Sequence, residues 1–366
     1  MKDLLAKKTK SNEKQKEIYI EALRVFAMIF VIFNHTSDDG FFYFSNLDPS
    51  QFRFWLDMLF TVFCKFAVPM FFALSGSLML GEEISFKKQS RRILRALMIL
   101  ILISLVYYIK EQNVYNYPMT IGDFFTRVYS YRLKYHLWYL YDYIVFLVTM
   151  PFINKIAQNL TKKTFYYLCA IVIMTQAIIP VFEYLVIDNA FSIYSHLKPT
   201  WLIEQIVVYP LVGYYLSKEK EETSTKQLLI LWIINIILVL FTCWLTYKKS
   251  VDTGVLNESS SQGFLSIFAL FNVIIIYKTF KKAFQNKSLN RCIEVLILSA
   301  GSCTFGVYLF HLLLLDLPIK RQFFDWVQSH GIYGIWPSFL FVLFVFVACW
   351  GGTLILKLIP GVKKWI

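Results

Sequence analysis

The chain has 366 residues, is 57% hydrophobic and 18% aromatic, and carries a net charge of +13. An apolar share this high, cut into runs of about 20 residues by short polar links, excludes a soluble globular domain and reads as a polytopic helical membrane protein. The positive charge would suit nucleic acid, but it is spread over alternating loops rather than gathered into one patch, so no nucleic-acid partner is expected.

Residues 1–17 are polar and Lys-rich, a basic cytoplasmic tail expected to be frayed; residues 18–366 form the membrane domain. Ten spans are predicted, roughly 18–37, 55–80, 93–110, 137–154, 164–187, 200–217, 227–247, 262–280, 293–316 and 334–358. No small-residue cleavage site follows the first span, so it is expected to stay in place as a helix. With both termini cytoplasmic, the inner segments hold 25 Lys and Arg and the outer segments 10, the bias expected for an even number of spans. The outer segment Tyr117–Tyr135 mixes aromatics with basic residues and suits an interfacial helix. Ser259–Gly263 reads as an outer linker. The six cysteines are scattered with no CxxC pair, which suits small core side chains rather than a disulfide frame or a metal site.

The first span carries the strongest signal. It holds Arg24 and, eleven residues on, His35. Ionisable groups inside a membrane helix are costly and point to function. Eleven residues at about 100° each return to nearly the same helix face, roughly 16 Å along the axis. A cation at one membrane surface and an imidazole at the other therefore look into one cavity. A plainer reading pairs Arg24 with Glu21, three residues earlier. Further polar groups sort by side: Asp38, Asp39, His136, Trp138, Glu183, Tyr308 and His311 fall in the outer half. Ser75, Gly76, Arg91, Arg92 and Arg95 fall in the inner half. Lys65 lies too deep in the second span for easy snorkelling, so it should face a cavity or a carboxylate such as Asp57.

In this order the motifs resemble the acyltransferase-3 family of integral membrane acyltransferases. Arg24 and His35 match its opening Arg, ten residues, His signature. Phe71-Phe72-Ala73-Leu74-Ser75-Gly76 matches a Phe-Phe-x-x-Ser-Gly run, Arg92-x-x-Arg95 an Arg-x-x-Arg, His136 to Leu140 a His-Leu-Trp-Tyr-Leu stretch, and Tyr308-x-x-His311 a Tyr-x-x-His. The Val68-Pro69-Met70-Phe71-Phe72 wording after Lys65 is similar to the branch that O-acetylates surface glycans.

The resemblance implies an all-α membrane fold that takes acetyl from cytoplasmic acetyl-CoA, with no metal, and passes it to a hydroxyl of a cell-surface or lipid-linked glycan. It implies His35 as general base, with Asp38 or Asp39 as candidates to orient it by sequence proximity, and His311 and Tyr308 stabilising an oxyanion or positioning the sugar. It implies Arg24, Arg92, Arg95 and Ser75 around the donor, and His136, Trp138, Lys65 and Glu183 around the acceptor. An acetyl-His35 intermediate is the rival to direct transfer. Because only Lys363-Lys364-Trp365-Ile366 follows the last span, transfer is expected without an appended soluble domain. The expected surroundings are a cell membrane and its lipids, with a homodimer left open. The competing class is a transporter of polysaccharide intermediates. It is disfavoured by the absence of paired, Gly- or Pro-interrupted halves.

Overall fold

The computed structural model describes residues 2–115, 120–187, 191–254, 264, 266–284 and 289–365. Among them all regular structure is helical. Six helical stretches are long and apolar enough to cross a membrane: Phe52–Met79, Phe86–Glu111, Tyr135–Gln158, Lys162–Leu185, Thr225–Thr253 and Trp336–Leu356. The pair Arg291–Ser302 and Thr304–Leu315, bent by 68°, makes a seventh if taken as one broken span. The other three expected spans fall on shorter apolar helices: the second half of Lys2–Asn34, Gln205–Lys218 and Ala269–Phe284. The start of the eighth expected span and the Ser259–Gly263 linker lie outside the described residues. The chain is thus an all-α polytopic membrane protein.

The opening helix Lys2–Asn34 starts earlier than the sequence suggests. Its Lys, Glu and Gln are good helix formers, so the expected frayed tail continues the first span. Its apolar part sits at the centre of the bundle. There it packs against Ala67–Met79, Ala269–Phe284, Arg291–Ser302, Thr304–Leu315 and Trp336–Leu356. Leu23, Ala27, Met28, Ile32 and Phe33 are fully buried in these contacts.

The tightest helix pairing joins Ala67–Met79 to Gln205–Lys218. A Cβ on Gly76 would strike the Pro210 backbone, and one on Gly213 would strike the Ala73 carbonyl. Small residues let the backbones close up where lipid supplies no hydrophobic push. Beside this seam, the Ser77 hydroxyl donates to the Gly213 carbonyl at 2.8 Å and lies 3.0 Å from the Tyr277 hydroxyl. Tyr277 in turn lies 3.3 Å from the Tyr19 hydroxyl. The thread joins four helices and satisfies buried polar groups that would otherwise be costly.

Two amphipathic helices lie outside the spans. Ile121–Ser130 falls in the expected interfacial segment and leaves Ile121, Phe125 and Tyr129 exposed along one face. Ile319–Ser329 packs Phe323 against Phe341 and exposes Trp326. Four-residue spacing of large apolar groups on an exposed face suits a helix lying in the headgroup region.

Candidate active site

The opening helix ends at Asn34, and the turn that follows aims His35. The Thr36 hydroxyl donates to the Phe33 carbonyl at 2.7 Å and accepts from the Phe41 amide at 2.9 Å. Ser37 then takes a left-handed φ of 54°, uncommon outside glycine, and the chain swings away. His35 is left at the rim of a cavity of about 470 Å³.

His35 Nδ1 lies 3.0 Å from His311 Nε2, the rings stacked at 5.1 Å. His311 is fully buried, and its Nδ1 lies 2.8 Å from the Tyr308 carbonyl. A carbonyl can only accept, so His311 Nδ1 carries the proton and its Nε2 is the acceptor. With one proton on each ring, His35 must then donate from Nδ1. The lone pair of His35 sits on Nε2. The Tyr308-x-x-His311 spacing is what places the carbonyl under the ring, one helical turn back. His311 therefore fixes the tautomer of His35 and does not itself reach a ligand. Asp38 and Asp39 take no part in orienting His35. Asp39 pairs instead with Lys320, at 2.5 Å, and Asp38 is exposed. Proximity in sequence points to these carboxylates; the partner that the fold supplies is 276 residues away.

His136 sits in the short turn Tyr135–Leu137, ahead of the helix Trp138–Gln158. The Tyr308 hydroxyl donates to the His136 carbonyl at 3.0 Å, pinning that turn. The Tyr308 proton is thus committed to backbone and not aimed at an oxyanion. His136 is 1% exposed and is among the residues lining the cavity. Its ring centroid is 5.2 Å from that of His311 and 6.3 Å from that of His35. Neither ring nitrogen has a hydrogen-bond partner among the described residues.

The other end of the same cavity is cationic, lined by Arg24, Arg92 and Arg95. Arg24 donates to Glu21 at 2.5 Å, in line with the plainer reading of the sequence, and still faces the cavity. Glu21 is itself wedged against Gly301, where any Cβ would strike its side chain. Gly301 thus fixes Glu21, and Glu21 fixes Arg24. Arg92 donates to Gln89 at 3.4 Å, while the Gln89 amide is anchored on the Leu147 carbonyl. Between the ends the wall includes Val31, Val68, Phe71, Leu74, Ser75 and Ile99.

The structure therefore gathers Arg24, His35, Ser75, Arg92, Arg95, His136, Trp138 and Tyr308 around one cavity, with His311 directly behind His35. Two other candidates are not among the lining residues. The Lys65 ammonium sits over the Phe41 ring at 4.5 Å, and Asp57, its suggested carboxylate, is approached instead by Arg53 at 4.0 Å. Glu183 accepts from the Ile193 amide at 2.6 Å. Several wall residues are not singled out by the sequence: Asn34, Tyr143 and the bend residues Gly301, Ser302 and Thr304. The helix break that exposes those last three leaves only a Gly–Ser–Cys–Thr signal, which is weak in an apolar run.

Chemically, the cavity offers cations at one end, apolar walls, and at the other end a base with a set tautomer beside an imidazole with no partner among the described residues. The family model described as Acyltransferase domain (Acyl_transf_3) matches residues 17–357. No curated protein and no solved structure matches the chain.

Proposed function

The chain belongs to the acyltransferase-3 family, and on that footing we propose that it transfers acetyl from cytoplasmic acetyl-CoA to a hydroxyl of a cell-surface or lipid-linked glycan. The observation that carries the reading is the single cavity joining three arginines to the His35–His311 pair. Guanidinium groups bind phosphate through charge-assisted, often bidentate hydrogen bonds. Arg92 and Arg95, with Arg24 further in, would hold the donor's phosphates at the cytoplasmic face. The bias of Lys and Arg towards the loops on that side supports this orientation. The pantetheine arm would run along the apolar wall and bring the thioester to His35.

At that end His35 Nε2 takes the proton of the acceptor hydroxyl, and His311 holds the ring as it becomes charged. The acceptor oxygen attacks the thioester carbon, the C–S bond breaks, and the thiolate recovers the proton from His35. Trp138, half-buried at the cavity wall, gives the sugar a face to stack on. The same Nε2 lone pair would serve direct transfer as a base or an acetyl-His35 intermediate as a nucleophile.

The test is acetyl-CoA binding and CoA release by the purified protein in detergent. Wild type should do both. His35→Ala should bind without release, and the double variant Arg92→Ala/Arg95→Ala should bind more weakly. A folded wild type that does not bind acetyl-CoA would sink the reading and favour transport.

A further inference from the structure

We propose that His136 is the oxyanion donor of this reaction, contributing a ring N–H to the tetrahedral centre formed next to His35. The inference rests on the acyl-transfer reading above.

A buried polar atom without a partner is rare enough in a folded protein to need a reason. His136 has two on one ring, in a side chain only 1% exposed. Its neighbours do not supply the missing bonds. The Tyr107 hydroxyl donates to the Leu309 carbonyl at 2.9 Å, and the Tyr308 hydroxyl donates to the carbonyl of His136 itself. His311 has Nδ1 on a carbonyl and Nε2 on His35. The ring is also held still: the Tyr107 ring meets it edge-on at 5.0 Å, and Tyr308 lies at 5.5 Å. A rigid, unpartnered imidazole on a cavity wall is a group whose partner arrives with the ligand.

The spacing from the base suits an oxyanion donor. In the transition state, one oxygen on the reacting carbon is hydrogen-bonded to the base and another to the oxyanion donor. Two such bonds of about 2.8 Å each, with one tetrahedral carbon between the oxygens, bridge nitrogens roughly 6–7 Å apart. The His35 and His136 ring centroids are 6.3 Å apart with the ring planes at 76°, which leaves a nitrogen of each ring within reach of that span. Charge that develops on the thioester oxygen would meet a donor held close beside the cavity. A neutral imidazole carries one N–H and can serve from either nitrogen, according to its tautomer.

The experiment compares full-length His136→Leu and His136→Gln with wild type and His35→Ala in detergent, reading acetyl-CoA binding, CoA release with water as acceptor, and thermal midpoint. His136→Leu should lower kcat by about 10²–10³-fold, the usual loss for an oxyanion donor, while acetyl-CoA binding stays within about threefold. His136→Gln, which restores an N–H, should recover at least about tenfold of that loss. Because the ring makes no protein hydrogen bond, the thermal midpoint of His136→Leu should hold or rise, which a structural histidine would not allow. Turnover by His136→Leu near wild type overturns the proposal, as does equal inactivity of both variants or a lowered midpoint that tracks the loss. In all three cases His35→Ala should still be inactive. If the wild type releases no CoA, or His35→Ala releases it normally, the acyl-transfer reading itself fails.

Discussion

Replacing His311 by Leu isolates what the buried partner does for His35. His311 is fully buried and has no route to a ligand, so its effect must pass through the 3.0 Å contact with His35 Nδ1. Removing it costs His35 the acceptor for its Nδ1 proton. A hydrogen bond from a charged donor is worth about 1.5–3 kcal/mol, and His35 is charged once it has taken the acceptor's proton. At 1.36 kcal/mol per factor of ten this is about 10–150-fold in kcat. Loss of tautomer control adds to it, since an unanchored His35 can carry its proton on Nε2, where it cannot act as a base. Leu nearly conserves the volume, and the Tyr308 carbonyl remains within a helix, so folding should cost less than about 1.5 kcal/mol. The arginine end is untouched. His311→Leu should therefore show kcat down about 10²-fold with unchanged acetyl-CoA binding, measured by CoA release and equilibrium titration. His311→Gln, whose carbonyl oxygen can accept from Nδ1, should fall between. A kcat within about threefold of wild type, or a loss matched by lost donor binding, would refute the relay from Tyr308 through His311 to His35.

Three further outcomes follow from the packing. Gly76→Leu forces a side chain into the Pro210 backbone and should lower stability by about 1–3 kcal/mol, seen as a lower thermal midpoint in detergent. Gly352→Ala, where a Cβ meets nothing within 4 Å, should leave the midpoint unchanged or raise it; equal effects from the two would count against the seam. Tyr308→Phe removes the 3.0 Å bond to the His136 carbonyl and should cost about 0.5–1.5 kcal/mol, with turnover reduced more than donor affinity as the His136 turn loosens.

What can be read from the sequence follows from short-range geometry. The eleven-residue interval between Arg24 and His35 fixes their common face by helix pitch alone, and both line one cavity. The Tyr308-x-x-His311 interval likewise contains its own hydrogen bond. Six of the ten expected spans fall on helical stretches long and apolar enough to cross a membrane, and a seventh on the bent pair, since apolar length survives any tertiary arrangement. Contacts set by the bundle are not legible. His311 as the partner of His35, Phe41 as the seat of Lys65, and Ile193 as the partner of Glu183 all depend on which helices meet. The 68° bend before Thr304 is marked only by small residues, a weak signal within an apolar run. Motif residues also divide by face in a way that spacing alone leaves open. Ser75 looks into the cavity, while its neighbour Gly76 lets the helix close on Pro210.

The two ends of the cavity are built by different rules, and the difference bears on what the protein does. At the arginine end each contact steadies a charge: Gly301 seats Glu21, Glu21 holds Arg24, and the Leu147 carbonyl holds Gln89 beside Arg92. Fixed cations of this kind bind an anion tightly without changing it. At the histidine end the protein uses up its own polar groups on one another. Tyr107, Tyr308 and His311 all donate to backbone carbonyls, and His35 commits Nδ1 to His311. Of the three histidines this leaves one lone pair, on His35 Nε2, and the ring nitrogens of His136 for whatever enters. One acceptor and one donor on rings whose centroids lie 6.3 Å apart are the minimum that acyl transfer to a hydroxyl requires. A carrier that must bind and release its cargo unchanged gains nothing from a base of fixed tautomer facing an unpartnered donor. The commitment of the Tyr107 and Tyr308 hydroxyls to the backbone is thus an argument for chemistry over passage.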